Sequence, residues 1–249
     1  MPLVTSDALV LQAFPYSETS KILRLLTPGH GVQSVIARGA RRPKSRYGGI
    51  LEPFTEGTAS FHLRPNRDLH TLAGFDLVRS RQGLGRDLVR FGAASLLGEI
   101  VLRTGSEQAA PEVYRSLRQG LDELEEAEGD LIEPVALAQA WALITSLGFG
   151  PSLDRCVGCG ASLPGARPLF FDYGAGGVHC GECVGGGGGG RVLPPRARAD
   201  LAALARGEPR PVEGTAAHWQ LLARFLAYHL VDAGSLRSLA FLSEAVGAS

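Results

Sequence analysis

Short runs of alternating apolar and polar residues fill the first part of the chain, and each run ends at a turn signal. Residues 7–14 (DALVLQAF) are partly alternating and stop at Pro15-Tyr16-Ser17. Residues 19–27 (TSKILRLLT) form a second run, closed by Pro28-Gly29-His30-Gly31, and Val32 to Arg38 (VQSVIAR) form a third. Residues 54–63 (FTEGTASFHL) and 69–79 (LHTLAGFDLVR) follow, split by Pro65-Asn66. A two-residue period buries one face of a strand, so five such runs in about 80 residues predict a small β-barrel. A five-stranded Greek-key barrel is the OB-fold, a common binder of single strands; an SH3-like barrel fits the same count.

Near residue 84 the period becomes helical. Leu84, Leu88, Phe91, Leu96, Leu97, Ile100 and Val101 share one helix face. Pro111 opens a second helix through Val113, Leu117, Leu121 and Leu124, and Pro134 a third through Leu137, Trp141, Ile144 and Leu147, stopped by Gly148 and Gly150. Residues 122–133 hold seven acids and read as a solvated helix end and loop. Pro168 to Tyr173 (PLFFDY) reads as a strand, and the six glycines Gly185 to Gly190 as a flexible linker or loop. Helices are expected at 196–206, from Ala216 to Val231 and from Ser235 to Leu242. The fold class is therefore multidomain α+β, with a barrel at 1–80 and a helical domain at 81–249.

Charge refines this division. Net charge is zero, yet residues 1–80 carry ten Lys/Arg against six Asp/Glu, and residues 81–150 carry six against eleven. A basic front and an acidic middle point to separate surfaces with separate partners. Of the 25 basic residues, 23 are Arg, whose planar fork grips phosphate in two places. The opening Met1-Pro2-Leu3-Val4 has no basic segment of the secretory kind, and no uninterrupted apolar stretch approaches about 18 residues, so neither secretion nor a membrane span is expected.

The four cysteines form two tight pairs. Cys156-x-x-Cys159 and Cys180-x-x-Cys183 are separated by 20 residues, the spacing of a four-thiolate zinc site. Two such knuckles close a tetrahedron and leave no position open for catalysis, so one structural zinc is expected in a ribbon-like module at about 152–192. Gly158 and Gly181 suit the tight turns, and His179 reads as a bystander. A thioredoxin-like dithiol would need a βαβ pattern, and a zinc deaminase an H-x-E followed by P-C-x-x-C; neither is present.

Arg38, Arg41, Arg42, Lys44 and Arg46 place five cations in nine residues, with Gly39, Pro43, Gly48 and Gly49 marking a loop and Tyr47 an aromatic neighbour. Such a loop beside a small barrel suits the phosphate backbone, and Lys21, Arg24, Arg64 and Arg67 extend the patch. A solvated surface loop is the rival reading. The chain has no G-x-x-x-x-G-K-[ST], no G-x-S-x-G and no H-E-x-x-H, and His30, His62, His70, His218 and His229 fall in turns or on element faces. No catalytic residue is expected.

Three stretches together resemble the RecO family of DNA repair proteins. They are Phe14-Pro15-Tyr16-Ser17-Glu18-Thr19-Ser20-Lys21-Ile22, Leu26-Thr27-Pro28-Gly29-His30-Gly31 and Ala37-Arg38-Gly39-Ala40-Arg41-Arg42-Pro43-Lys44-Ser45-Arg46. They match the family's Y-x-E-x-S segment, T-x-x-x-G turn and K-G-A-R-R-x-x-S loop, with Arg38 in place of the usual Lys. The resemblance implies an N-terminal OB-fold and a helical domain carrying the zinc module. It implies a cytoplasmic, nucleoid-associated protein of the RecFOR pathway that binds single- and double-stranded DNA. It also implies annealing of complementary strands and, with RecR, help in loading RecA onto DNA coated by single-stranded DNA-binding protein. A zinc-ribbon transcription factor or other duplex-binding protein, and an enzyme of nucleic-acid metabolism, are the alternatives.

Overall fold

The computed structural model of the chain describes residues 2–64, 67–163, 165, 167–184, 189–230 and 236–247. The Pro65-Asn66 turn, Gly185 to Gly188, Val231 and Ser235 lie outside the described residues. The chain divides into two compact units: Met1–Arg86 with Gly98–Glu125, and Asp87–Leu97 with Glu126–Ser249.

The first unit is built on five strands: β1 (Leu3–Pro15), β2 (Lys21–Thr27), β3 (Gly31–Ala37), β4 (Glu56–His62) and β5 (Leu69–Arg79). They close into a barrel in the order β1-β2-β3-β5-β4. All neighbours are antiparallel except β3 and β5, which are parallel. Alternation fills the interior with Ala8, Val10, Leu23, Leu25, Val35, Ala37, Ala59, Phe61, Leu72 and Phe75. The sequence pattern starts β1 at residue 7, but Leu3 to Ser6 also pair, with His62 to Ala59, and close the barrel. Their side chains are exposed or half-buried and only Val4 packs against the core, so the alternation there is weak.

In β1 the register shifts between Val10 and Gln12. This bulge reverses the alternation: Ala8 and Val10 point inward before it, and Ala13 packs against the core after it. Phe14 is thereby turned to the outside. On the outer face Leu9, Leu26 and Val32 form one buried row across three strands. α1 (Leu88–Thr104) and α2 (Pro111–Glu126) contribute to the same unit from Gly98 onward. After α1, the Ser106 carbonyl accepts from the Val32 N–H at 2.9 Å. Gly31, in a left-handed conformation, leaves no room for a Cβ against that carbonyl.

A buried ion pair network joins the end of β5 to α2. The Arg81 side chain is fully buried and bonds Glu56 at 2.6 Å, Asp122 at 2.7 Å and the Phe54 carbonyl at 3.0 Å. Arg79 bonds Asp122 and Glu125 at 3.0 Å each. The acidic stretch is therefore not simply solvated: Asp122 and Glu125 neutralise buried or half-buried arginines. Phe54 has φ of 67°, a conformation that costs a non-glycine residue about 1–3 kcal/mol. Its carbonyl bond to Arg81 and its buried ring hold it there.

The second unit centres on α3 (Ile132–Ile144), a helix buried along nearly all its length. The helical stretch Gly129–Phe149 is long and apolar enough to cross a membrane by length and composition, and burial of Val135, Leu137, Trp141 and Leu143 in a protein core accounts for that composition. Pro134 lies in the first turn of α3, two residues past its start, where a missing N–H removes no helical bond. Gly148, at φ of 89°, ends the helix as its sequence position predicts. A three-stranded sheet of order β7-β6-β8 follows, from β6 (Leu169–Asp172), β7 (Gly177–His179) and β8 (Gly190–Leu193). Then come α4 (Pro195–Ala205), α5 (Thr215–His229) and α6 (Arg237–Gly247). Trp141 meets Phe225 of α5 edge-on and Phe171 meets it tilted, at 5.1 and 6.2 Å between centroids. The acid Glu133 accepts from Trp219 Nε1 at 2.8 Å, so it too has a structural role.

The end of the glycine run departs from the linker expectation. Gly189 accepts a hydrogen bond from the Tyr173 N–H, and Gly190 opens β8 opposite Asp172. A Cβ on Gly190 would lie 2.3 Å from the Phe171 carbonyl and 2.6 Å from the Phe170 ring. Close packing, not flexibility, accounts for that glycine.

Candidate nucleic-acid interface and four-cysteine cluster

Each cysteine pair sits on a turn beside the small sheet. The Cys156 N–H donates to Ala161, the Gly160 N–H returns to Cys156, and the Cys183 N–H closes on Cys180. The left-handed residue of the first turn is Gly160, at φ of 74°, rather than Gly158. Gly158 matters for space, because a Cβ there would lie 3.2 Å from Cys183 Sγ. Nothing lies within 4 Å of a Cβ built on Gly181, and the structure does not explain that glycine.

The four Sγ atoms lie within 4.8 Å of one another, and Cys159 and Cys180 sulfurs are 3.8 Å apart. A tetrahedral ion with sulfur ligands at about 2.3 Å needs sulfur–sulfur edges of about 3.8 Å. The residues present therefore fit a metal ion. Amide N–H groups, led by that of Cys180, hold the Cys156 thiol low, at about 5. Contacts with Cys180, Cys159 and Cys156 push the Cys183 thiol up to about 12. One thiolate is favoured and a second is opposed by its neighbours; a cation relieves that opposition. His179 stands beside the cluster with Nε2 3.6 Å from Asp172 Oδ2.

The nine cations expected to meet DNA fall into four sets. Arg38, Arg42 and Lys44 are exposed in the loop after β3, and no carboxylate lies within ion-pair distance of them among the described residues. Arg24, on the outer face of β2 between Gln12 and Ser34, and Arg64, bonded to Thr71 Oγ1 at 3.1 Å, are half-buried. Each of these two keeps an Nε without an acceptor. Arg67 is exposed between β4 and β5.

The last three of these nine, Arg41, Lys21 and Arg46, are tied down. Arg41 bonds the Ser17 carbonyl at 2.6 Å through its side chain and the Thr19 carbonyl at 3.0 Å through its N–H. Lys21 is paired with Glu52 at 2.7 Å. Arg46 bonds the Ala73 carbonyl at 2.6 Å and lies over the Tyr47 ring at 4.9 Å. Tyr47 is a core residue, not an exposed neighbour of the loop. Its burial anchors the stretch that presents Arg42 and Lys44.

Two exposed aromatics belong to the same surface, and sequence patterning did not find them. Phe14 is 38% exposed and Tyr16 60% exposed. Strict alternation from Ala8 and Val10 places Phe14 inside; the bulge places it outside. The histidine readings divide as well: His70 and His218 are buried, and His229 Nε2 lies 2.9 Å from the Tyr173 carbonyl.

Comparison with known proteins agrees over both units. Residues 1–81 match the family described as recombination protein O N terminal, and residues 85–240 the family described as recombination protein O C terminal. The chain is 34% identical over 242 residues to a DNA repair protein RecO of Anaeromyxobacter dehalogenans, covering 92% of each chain. It is 36% identical over 184 residues to that of Pelotomaculum thermopropionicum, covering 74% of this chain and 70% of the relative. A third, from Desulfatibacillum aliphaticivorans, is 30% identical over 98% of each chain. With both halves matched and a relative above 30% identity along nearly its whole length, the chain belongs to the RecO family of DNA repair proteins.

Proposed function

We propose that this protein is a non-catalytic mediator of recombinational repair that binds single- and double-stranded DNA and anneals complementary strands. With RecR, it helps load RecA onto strands coated by single-stranded DNA-binding protein. The observation that carries this reading is the unneutralised cation set Arg24, Arg38, Arg42, Lys44 and Arg64 on a closed five-stranded barrel of a RecO-family chain. The strand order β1-β2-β3-β5-β4 supports assigning the barrel to the OB class, whose second and third strands and flanking loops hold oligonucleotides. Residues 1–80 supply the DNA-binding barrel. Residues 81–249 supply the helices and a module in which Cys156, Cys159, Cys180 and Cys183 hold one structural zinc. The protein works in the cytoplasm, on the nucleoid.

Binding is assigned to phosphates through the loop cations, so it is independent of sequence. The physical task in annealing is repulsion between two polyanions. A cationic surface that holds one strand and admits another lowers that repulsion, and base pairing supplies the free energy, so no nucleotide hydrolysis is needed. Titrations with random single strands, random duplex and complementary pairs test the reading. The expected outcome is sequence-independent binding of both forms, with faster pairing of complements. Strong preference for one duplex sequence would identify a transcription factor instead, and turnover of DNA with added metal or ATP an enzyme.

A further inference from the structure

The outer face of β1, β2 and β3 is covered in one half and open in the other. The row Leu9–Leu26–Val32 is buried. The next row, Gln12–Arg24–Ser34, is polar and half-open, and the row beyond it, Phe14–Ile22–Ile36, is apolar and continues to Thr71 of β5. An outward row in contact with water is ordinarily polar, and this one ends in a 38% exposed phenyl ring. Tyr16, 60% exposed, follows two residues after Phe14, just past the end of β1. Its loop is braced: the Tyr16 N–H donates to Ser20 at 3.0 Å, and Arg41 bonds Ser17 and Thr19. The ring is thus presented on an ordered turn.

The charge around this row names its occupant. Arg24 lies in the neighbouring row, Arg38 leaves β3 two residues past Ile36, and Arg64 bonds Thr71 at the far end. The two open rows contain no carboxylate. A rim of cations around an apolar, aromatic strip fits a polyanion that also carries flat apolar groups. Duplex DNA keeps its base faces stacked inside and offers only groove edges and phosphates; a single strand offers phosphates and free base faces.

Resting on the DNA-binding reading above, we propose that Tyr16, Phe14, Ile22 and Ile36 form a stacking platform for unpaired bases, with phosphates running along Arg24, Arg38 and Arg64. This face selects single strands over duplex, and a strand that completes pairing leaves it. The loop cations Arg42 and Lys44 remain for either form.

The test compares a thymine oligonucleotide with a random duplex of equal length. Tyr16→Ala and Phe14→Ala lower single-strand affinity roughly tenfold each, within the range that loss of one base-stacking contact gives, and change duplex affinity by less than about twofold. Tyr16→Phe retains single-strand affinity, because stacking uses the ring and not the hydroxyl. Tyr16→Trp adds an exposed indole to a chain whose own two tryptophans, Trp141 and Trp219, are buried, and its fluorescence is quenched when the oligonucleotide binds. Equal losses for both DNA forms, no loss in Tyr16→Ala, or an unquenched indole would overturn the platform. A parent protein that binds neither DNA would overturn the DNA-binding reading itself, which separates the two failures.

Discussion

Arg41 and Arg42 are adjacent in the chain and differ in their surroundings. Arg41 spends its donors on Ser17 and Thr19 carbonyls, whereas Arg42 reaches solvent with no acid in range. Spacing alone cannot separate them, since both read as cations in one loop. Neutralising Arg38 and Arg42 together is expected to weaken binding to every sequence alike. Each lost phosphate contact flattens the dependence of log affinity on log salt by about 0.7–0.9. Unchanged affinity and slope would make this loop a solvated surface. Arg41→Ala is expected to act differently, by loosening the Tyr16 turn. Burial also sets a residue-scale pH response. Desolvation holds the imidazoles of His70 and His218 below their ordinary value of 6.5. Above about pH 6.5 both folded and unfolded forms are neutral there, and no stability is at stake. As pH falls through that value the unfolded chain takes up protons first, so stability drops toward the lower folded pKa. Melting curves between pH 7.5 and 5.5 should show a falling midpoint, and a His70→Leu His218→Leu variant should lose part of that fall. A flat wild-type profile would contradict the assignment.

Elements are held by polar groups as well as by apolar packing. Arg81 bonds β4, the Phe54 turn and α2 from a fully buried position. Replacing it with Met removes the one fully buried cation shared by Glu56 and Asp122, leaving them the more exposed Arg118 and, for Asp122, Arg79; loss of one partner from a buried pair costs on the order of 3 kcal/mol. Denaturant titration should show that loss; a change below about 1 kcal/mol would mean that the acids find water instead. The small sheet depends on its knuckles in the same way. Phe171 on β6 packs near Phe225 on α5, so the cysteine module is continuous with a helical core. Metal analysis should find one zinc per chain. Chelation should lower the melting midpoint by more than about 5 °C, since 1 kcal/mol shifts a domain of this size by about 2–4 °C. Near-zero zinc, or a disulfide within either pair, would remove the metal from the account.

At the scale of the molecule, strong periodicity was the legible part. Five strands and most helices follow from alternation, helical spacing and Pro or Gly boundaries, and the cysteine pairs gave the cluster directly. Three kinds of feature were not legible. β7 spans only Gly177–His179, too short for any period, and β8 begins in a glycine run whose composition imitates a linker. The bulge at Leu11 reversed the faces of β1 and hid Phe14. Long-range pairing absorbed Asp122, Glu125 and Glu133, which no local pattern marks. On the proposed function, cations and open strands on one barrel bring complementary strands together without a nucleotide. The direct measurement is an annealing time course with fluorescently paired strands, without ATP, bare and coated by single-stranded DNA-binding protein. The account predicts pairing well above the spontaneous rate in both cases, reduced in the Arg38→Ala Arg42→Ala variant. A protein that binds DNA tightly yet never exceeds the spontaneous rate would contradict it.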